Sequence, residues 1–287
     1  MTRIDQFASV FRAAAKERFA HRPVRVRDVL VITDLESEAA AGYAAGAASF
    51  LGALPDADTR SIRHVEGHRT SDLGALIERV DEAAPDLIVT YRNLHTDAWR
   101  WPYTLGDHVE VLTQVCKTPI LLLPRLDGAP RPGDGSPPKT VMAMTDHLAG
   151  DDSLVNWAVG MTDEAPGRRL VLAHVEDDSV FDRYIELLGK TPDIDTETAR
   201  SRLSALLLKE PEDWIDSVRD ALEEAGRSMT VEADVGFGHH LATYREKVDR
   251  HGVELLVLHT KDDDQLAMHG LAYPLVVELR ATPMLLL

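Results

Sequence analysis

The chain has 287 residues, 44% of them hydrophobic, with 31 Lys and Arg against 48 Asp and Glu and a formal net charge of −17. Two ordinary domain cores fit in that length and apolar fraction, while the acidic balance excludes a general affinity for nucleic acid or anionic lipid, which clustered Lys and Arg would have to supply. Cys116 is the only cysteine, so a disulfide framework or thiolate metal cluster within one chain is excluded, and no apolar run approaches the roughly 18 residues of a membrane span.

At the start of the chain, Ile4, Phe7, Val10, Phe11 and Ala14 recur at helical spacing, so residues 1–22 are expected to form an amphipathic helix. Arg3, Asp5, Arg12, Lys16, Glu17 and Arg18 interrupt any apolar core that a signal peptide would need. The helix has two open roles, covering a bare surface of the first domain or serving as a tail that binds a partner. VLVITD at 29–34 is an apolar strand that stops at Thr33 and Asp34. Such runs suit strands buried on both faces of a parallel sheet, whose carboxyl ends carry ligand sites. The Ala-rich stretch 36–54, with Gly42, Gly46 and Gly52, is a helix ended by Pro55 and Asp56. Residues 59–65 form a second strand that runs into His64-Val65-Glu66. A helix over 71–84, capped by Ser71 or Asp72, leads to a strand at 86–90. After the loop YRNLHTDAWRWPYTLGD comes the strand in TPILLLP, from Thr118. Residues 125–138 are dense in Pro and Gly without an apolar period and read as a linker.

Beyond the linker, VMAMTD at 141–146 repeats the first strand and stops at Thr145 and Asp146. A helix over 151–162 and a strand over 169–175 follow. Residues 178–195 read as a long connection with a short helix at 181–188, and Thr196 is expected to cap a helix, with Pro211 as the first residue of its continuation through Glu224 and Gly226 ending it. A third strand spans 231–235, a helix 240–250 and a fourth strand 254–259. The closing strand lies in TPMLLL, from Thr282.

Three stretches occur twice in the same order: the two first strands, RVDEAAPDLIV against KVDRHGVELLV, and TPILLLP against TPMLLL. Asp34 and Asp146 are 112 positions apart and Asp81 and Asp249 are 168 apart, so the second copy carries 56 more residues, about one βα unit. Whether the missing unit lies before or after 59–65 stays open. Together with LAHVE at 172–176, these stretches resemble the tandem form of the universal stress protein family. The resemblance implies an α/β fold of two doubly wound parallel-sheet domains, 23–124 and 139–287, with strand order of the 3-2-1-4-5 type and the first copy abridged. It also implies a cytoplasmic stress-response role and a pseudo-dimer of the two domains packed through their final strands, with a homodimer also open. From the charge balance and the lack of a span, no nucleic-acid or membrane partner is expected. An unknown protein partner stays open.

In the nucleotide-binding branch of that family, the loop after the fourth strand reads Gly, two residues, Gly, nine residues, Gly, then Ser or Thr. Here the first copy keeps only Gly106, followed by Asp107, and the second places Asp262, Asp263 and Asp264 before Gly270 and Leu271. Three carboxylates would repel phosphate unless a divalent cation intervened. Both loops therefore read as degraded, and no cofactor is expected. The residues left to hold one are Thr145, Asp146, His147, His259, Thr260 and Gly270 in the second pocket, and Thr33, Asp34 and Gly106 in the first. No catalytic arrangement stands out, so a non-enzymatic protein is the leading reading. The alternative is an ATP, AMP or zinc sensor, or a weak ATPase, in the second domain. For zinc, His147, His174, His239 and His259 all fall at or past strand ends of that copy.

Overall fold

The computed structural model describes residues 18–101, 103–132, 135–144, 150–162, 164–191, 194–260 and 272–287. In chain order its first half contains β1 (Asp28–Ile32), α1 (Ser37–Phe50), β2 (Ser61–Val65), α2 (Leu73–Ala83), β3 (Leu87–Tyr91), α3 (Asp107–Val115) and β4 (Ile120–Leu123). A short hairpin of β5 (Arg125–Leu126) and β6 (Ala129–Pro130) leads to β7 (Thr140–Met144), α4 (Asp152–Met161), β8 (Arg169–Asp177), α5 (Asp178–Gly189) and α6 (Thr196–Glu224). The chain closes with β9 (Thr230–Gly238), α7 (His240–His251), β10 (Leu255–Leu258), α8 (Ala272–Glu278) and β11 (Met284–Leu286).

Nine strands form one sheet in the order β2-β1-β3-β4-β11-β10-β7-β8-β9. Every neighbouring pair is parallel except β4 and β11, which meet antiparallel with Leu285 opposite Leu121. Strands β3, β4, β7 and β10 are buried at every residue, as expected of apolar runs with helices over both faces. The second half reads β9-β8-β7-β10-β11, the 3-2-1-4-5 order, and among the described residues the first half repeats it without a third strand. Because β2 lies beside β1 as β8 lies beside β7, the abridgement falls after β2. Among the described residues, what the first half lacks is the unit α5, α6 and β9.

Four local expectations change. Residues 1–17 of the expected amphipathic helix lie outside the described residues, and residues 18–22 are not helical. Their polar groups go to side chains instead: the Phe19 N–H donates to Ser217 Oγ at 3.0 Å and the Arg22 N–H to Asn156 Oδ1 at 2.8 Å. The supposed long connection is mostly α5, a 12-residue helix whose first turn is capped by the Asp177 carboxylate. Asp195, not Thr196, caps α6, accepting from the Glu197 and Thr198 N–H groups, and α6 runs unbroken for 29 residues with Pro211 buried inside it. The linker is not a bare spacer either, since β5 and β6 pair around Asp127 and Gly128, both at positive φ, and Pro132 packs so closely on α1 that Gly46 has no room for a Cβ.

At the far edge of the second half, the Asp234 carboxylate on β9 takes ion pairs from Lys247, Arg250 and His251 of α7. Burial opposes its charge, yet those three donors hold the Asp234 carboxyl down at about 2.

Candidate functional site

β1 and β3 end side by side at the carboxyl edge of the first half, the kind of edge on which open α/β sheets build ligand sites. Asp34 follows β1, and Tyr91 is the last residue of β3. The Tyr91 hydroxyl donates a short hydrogen bond to Asp34 Oδ1 and accepts from the Asp34 N–H at 2.9 Å. The other oxygen, Oδ2, accepts from the His95 N–H at 3.0 Å and from Arg125 Nη1 at 2.8 Å. Arg125 also donates to the Asn93 carbonyl at 2.6 Å and the Gly128 carbonyl at 3.1 Å, and its guanidinium lies 5.5 Å over the Tyr91 ring. Both oxygens of the carboxylate are thus taken by the chain itself. Burial alone would raise the Asp34 carboxyl; the bonds from Tyr91, His95 and Arg125 outweigh it and hold the group below its ordinary value. Burial and the donation to Asp34 push the Tyr91 phenol far above its own.

A second layer supports this lock. Thr33 is fully buried, and its carbonyl accepts from the Thr70 hydroxyl at 2.8 Å. Thr70 Oγ1 also lies 2.6 Å from His95 Nε2; with its proton directed to backbone carbonyls, the imidazole is the donor. Burial, then His108 with its ring 5.1 Å away, lowers the His95 pKa.

Gly106 has φ 84° and ψ 147° at the amino end of α3, a region open almost only to glycine. A Cβ there would come within 2.8 Å of Asn93 Cα. Gly106→Ala is expected to cost about 1–3 kcal/mol in urea unfolding; a variant as stable as wild type would mean the backbone can relax around it. Asp107 and Glu110 occupy the first turn of α3, so the partial positive charge of that helix end is already opposed. Arg92 does not turn towards this loop. It is 3% exposed and donates to the Leu279 carbonyl of the second half at 3.1 Å, and burial with Arg280 nearby lowers its pKa to about 9. Trp99 packs on Gly128 of the hairpin, whereas Trp101 and Tyr103 are exposed.

In the second half, Thr145, Asp146, His147 and Gly270 lie outside the described residues. His259 Nε2 lies 3.0 Å from the Asp151 carboxylate, and Thr260 bonds the Leu287 carbonyl through both its N–H and its hydroxyl. His174 is buried with Nε2 2.9 Å from Glu176, and His239 precedes α7 without a side-chain cap bond. His174 and His259 thus take separate acids. The one group among the described residues whose ligand-type atoms all lie within 4.8 Å of one another is Glu36, Glu66 and His68, at the edge of the first half. Sequence reading passed over it because Glu36 is 30 positions from Glu66; the run HVEGHR was the visible signal.

No family model matches the chain, and no curated protein does. Solved structures do match. A universal stress protein from Archaeoglobus fulgidus superimposes with a TM-score of 0.53 at 12% identity, over 92% of this chain and 98% of that one. A putative universal stress protein from Pseudomonas aeruginosa gives 0.50 at 13% identity, over 91% of this chain and 93% of that one. A functionally unknown protein from the same species gives 0.50 at 12% identity, over 91% and 92%. At these identities the likeness is one of fold, and the fold is the α/β architecture of the universal stress proteins.

Proposed function

We propose that the chain is a non-enzymatic stress-response protein of the universal stress type, acting in the cytoplasm, with domains over 23–124 and 139–287 and a first-domain ligand pocket closed by its own side chains. One observation carries this reading: the Asp34 carboxylate, at the strand end where such sheets present groups to ligands, is saturated by Tyr91, His95 and Arg125. An incoming nucleotide would have to displace a buried ion pair, and the loop beyond β3 keeps a single glycine, with Asp107 where a hydroxyl would meet phosphate.

Thermal unfolding with Mg-ATP, AMP and zinc, each titrated separately, tests the proposal. A ligand present at 100 times its Kd adds about 2.7 kcal/mol, roughly 2–4 °C per kcal/mol for a chain of this size. No saturable rise is expected with any of the three. A saturable rise would overturn the reading in favour of a sensor in the second domain, built from Thr145, Asp146, His147, His259, Thr260 and Gly270. Zinc retention lost on changing His174, His239 or His259 would point to the same outcome.

A further inference from the structure

The two halves end their shared sheet differently. In the second half β8 lies between β7 and β9 and pairs with β9 along nine residues. In the first half β2 pairs with β1 on one side, and among the described residues no strand pairs with the other. Ser61, Arg63 and His64 are exposed, and Ile62 and Val65 are partly so. An open edge of this kind offers its unpaired N–H and C=O groups to any extended segment that fits.

Outward-pointing charge is the usual device that blocks such an edge, and Arg63 is the candidate for it. Its guanidinium instead folds back to donate to the Ala83 carbonyl at 3.0 Å. Arg60 is likewise occupied, bonding the carbonyls of Val26, Leu51, Leu54 and Pro55. Two cations nearby are not used up in this way. At the end of β2, His64, Val65, Glu66, Arg69 and Arg79 enclose a cavity of about 320 Å³. Among the described residues neither Arg69 nor Arg79 forms an ion pair, and the Arg79 Nε is buried without a hydrogen-bond partner. Glu66 is the one acid in the lining, and it faces His68 at 3.6 Å. In a chain of net charge −17, the lining of this cavity sets two guanidiniums against one carboxylate.

We propose that the free edge of β2 binds an extended acidic segment of a partner protein, which adds as a strand beside β2 and lays a carboxylate into the cavity lined by Arg69 and Arg79. Backbone pairing supplies the affinity, and the guanidiniums, donors shaped for carboxylate, supply the selection for acidic side chains. A second copy of the chain is the poorer occupant, because its own β2, Ser-Ile-Arg-His-Val, carries no carboxylate to lay into the cavity.

The experiment uses the full chain and an end-blocked, fluorescein-labelled peptide of alternating glutamate and valine, followed by fluorescence anisotropy and amide hydrogen exchange. Saturable binding is expected, with new protection centred on residues 61–65, and R69A/R79A should weaken it about tenfold or more, the scale of one lost charge-assisted contact. A lysine-valine peptide should bind far more weakly. The proposal falls if the acidic peptide does not bind, if the double variant binds as well as wild type, or if protection appears elsewhere. It falls equally if residues 61–65 gain protection with protein concentration alone, since a second copy would then occupy the edge.

Discussion

Asp34→Ala is expected to lower the free energy of unfolding by about 3 kcal/mol, near the bottom of the range for breaking a buried ion pair. The Asp34 and Arg125 side chains are 10% and 12% exposed, so the cation left behind has little access to water. The loss stays towards the low end because Arg125 keeps its bonds to the Asn93 and Gly128 carbonyls. Tyr91→Phe removes one donor to the same carboxylate and should cost less, about 1–2 kcal/mol. Urea unfolding at neutral pH measures both, and an Asp34→Ala variant within 0.5 kcal/mol, roughly the scatter of neutral surface changes, would mean the lock contributes nothing.

The same pair sets a pH dependence. Asp34 is held below its ordinary value in the folded chain, whereas the unfolded chain titrates near about 3.9. The unfolded state therefore binds the proton first as pH falls, so the contribution is complete above the unfolded pKa and disappears as pH drops through the folded one. The stability gap between wild type and Asp34→Ala should narrow below about pH 4. Asp234, held at about 2, acts in the same direction over the same acid window, so Asp34→Ala should still lose stability on acidification, only less steeply.

The sheet was legible because its strands are apolar runs that occur twice. A run such as VLVI or LLVL has one physical use, burial on both faces, and the duplicated order carried the topology with it. Placing the missing unit was beyond the sequence, since 59–65 could be the second or the third strand of its copy; strand pairing decided it. Thr33, Asp34 and Gly106 stand at the first-half edge, but the partner that matters was invisible. Arg125 lies 91 positions from Asp34, in a stretch whose Pro and Gly content signalled a spacer, and a two-residue hairpin is too short to show a period. The helix does continue past Pro211 to Glu224, and without a fresh start there. Proline breaks helices by removing one donor, yet its burial inside 29 residues of continuous helix shows the surrounding packing outweighing that loss.

The second large effect is expected where the halves meet. Leu285 of β11 lies opposite Leu121 of β4, both fully buried, and this antiparallel contact is the only strand pairing between the halves among the described residues. Leu285→Ala should cost about 2–5 kcal/mol, the transfer of the lost methyl groups plus the cavity left in a core that cannot collapse around it. Leu121→Ala should cost a similar amount, and the double variant should fall short of their sum by about 0.5 kcal/mol or more, because the two positions share one contact. Other contacts reinforce the seam: Arg92 donates to the Leu279 carbonyl, Arg280 to the Trp99 carbonyl and the Tyr273 hydroxyl to Glu110. With one sheet running through the seam, Trp99 and Trp101 in the first half and Trp157 and Trp214 in the second should report a single urea transition. Two separated transitions in wild type, with Leu285→Ala moving only one of them, would mean that the halves are independent units and that β4 and β11 merely touch.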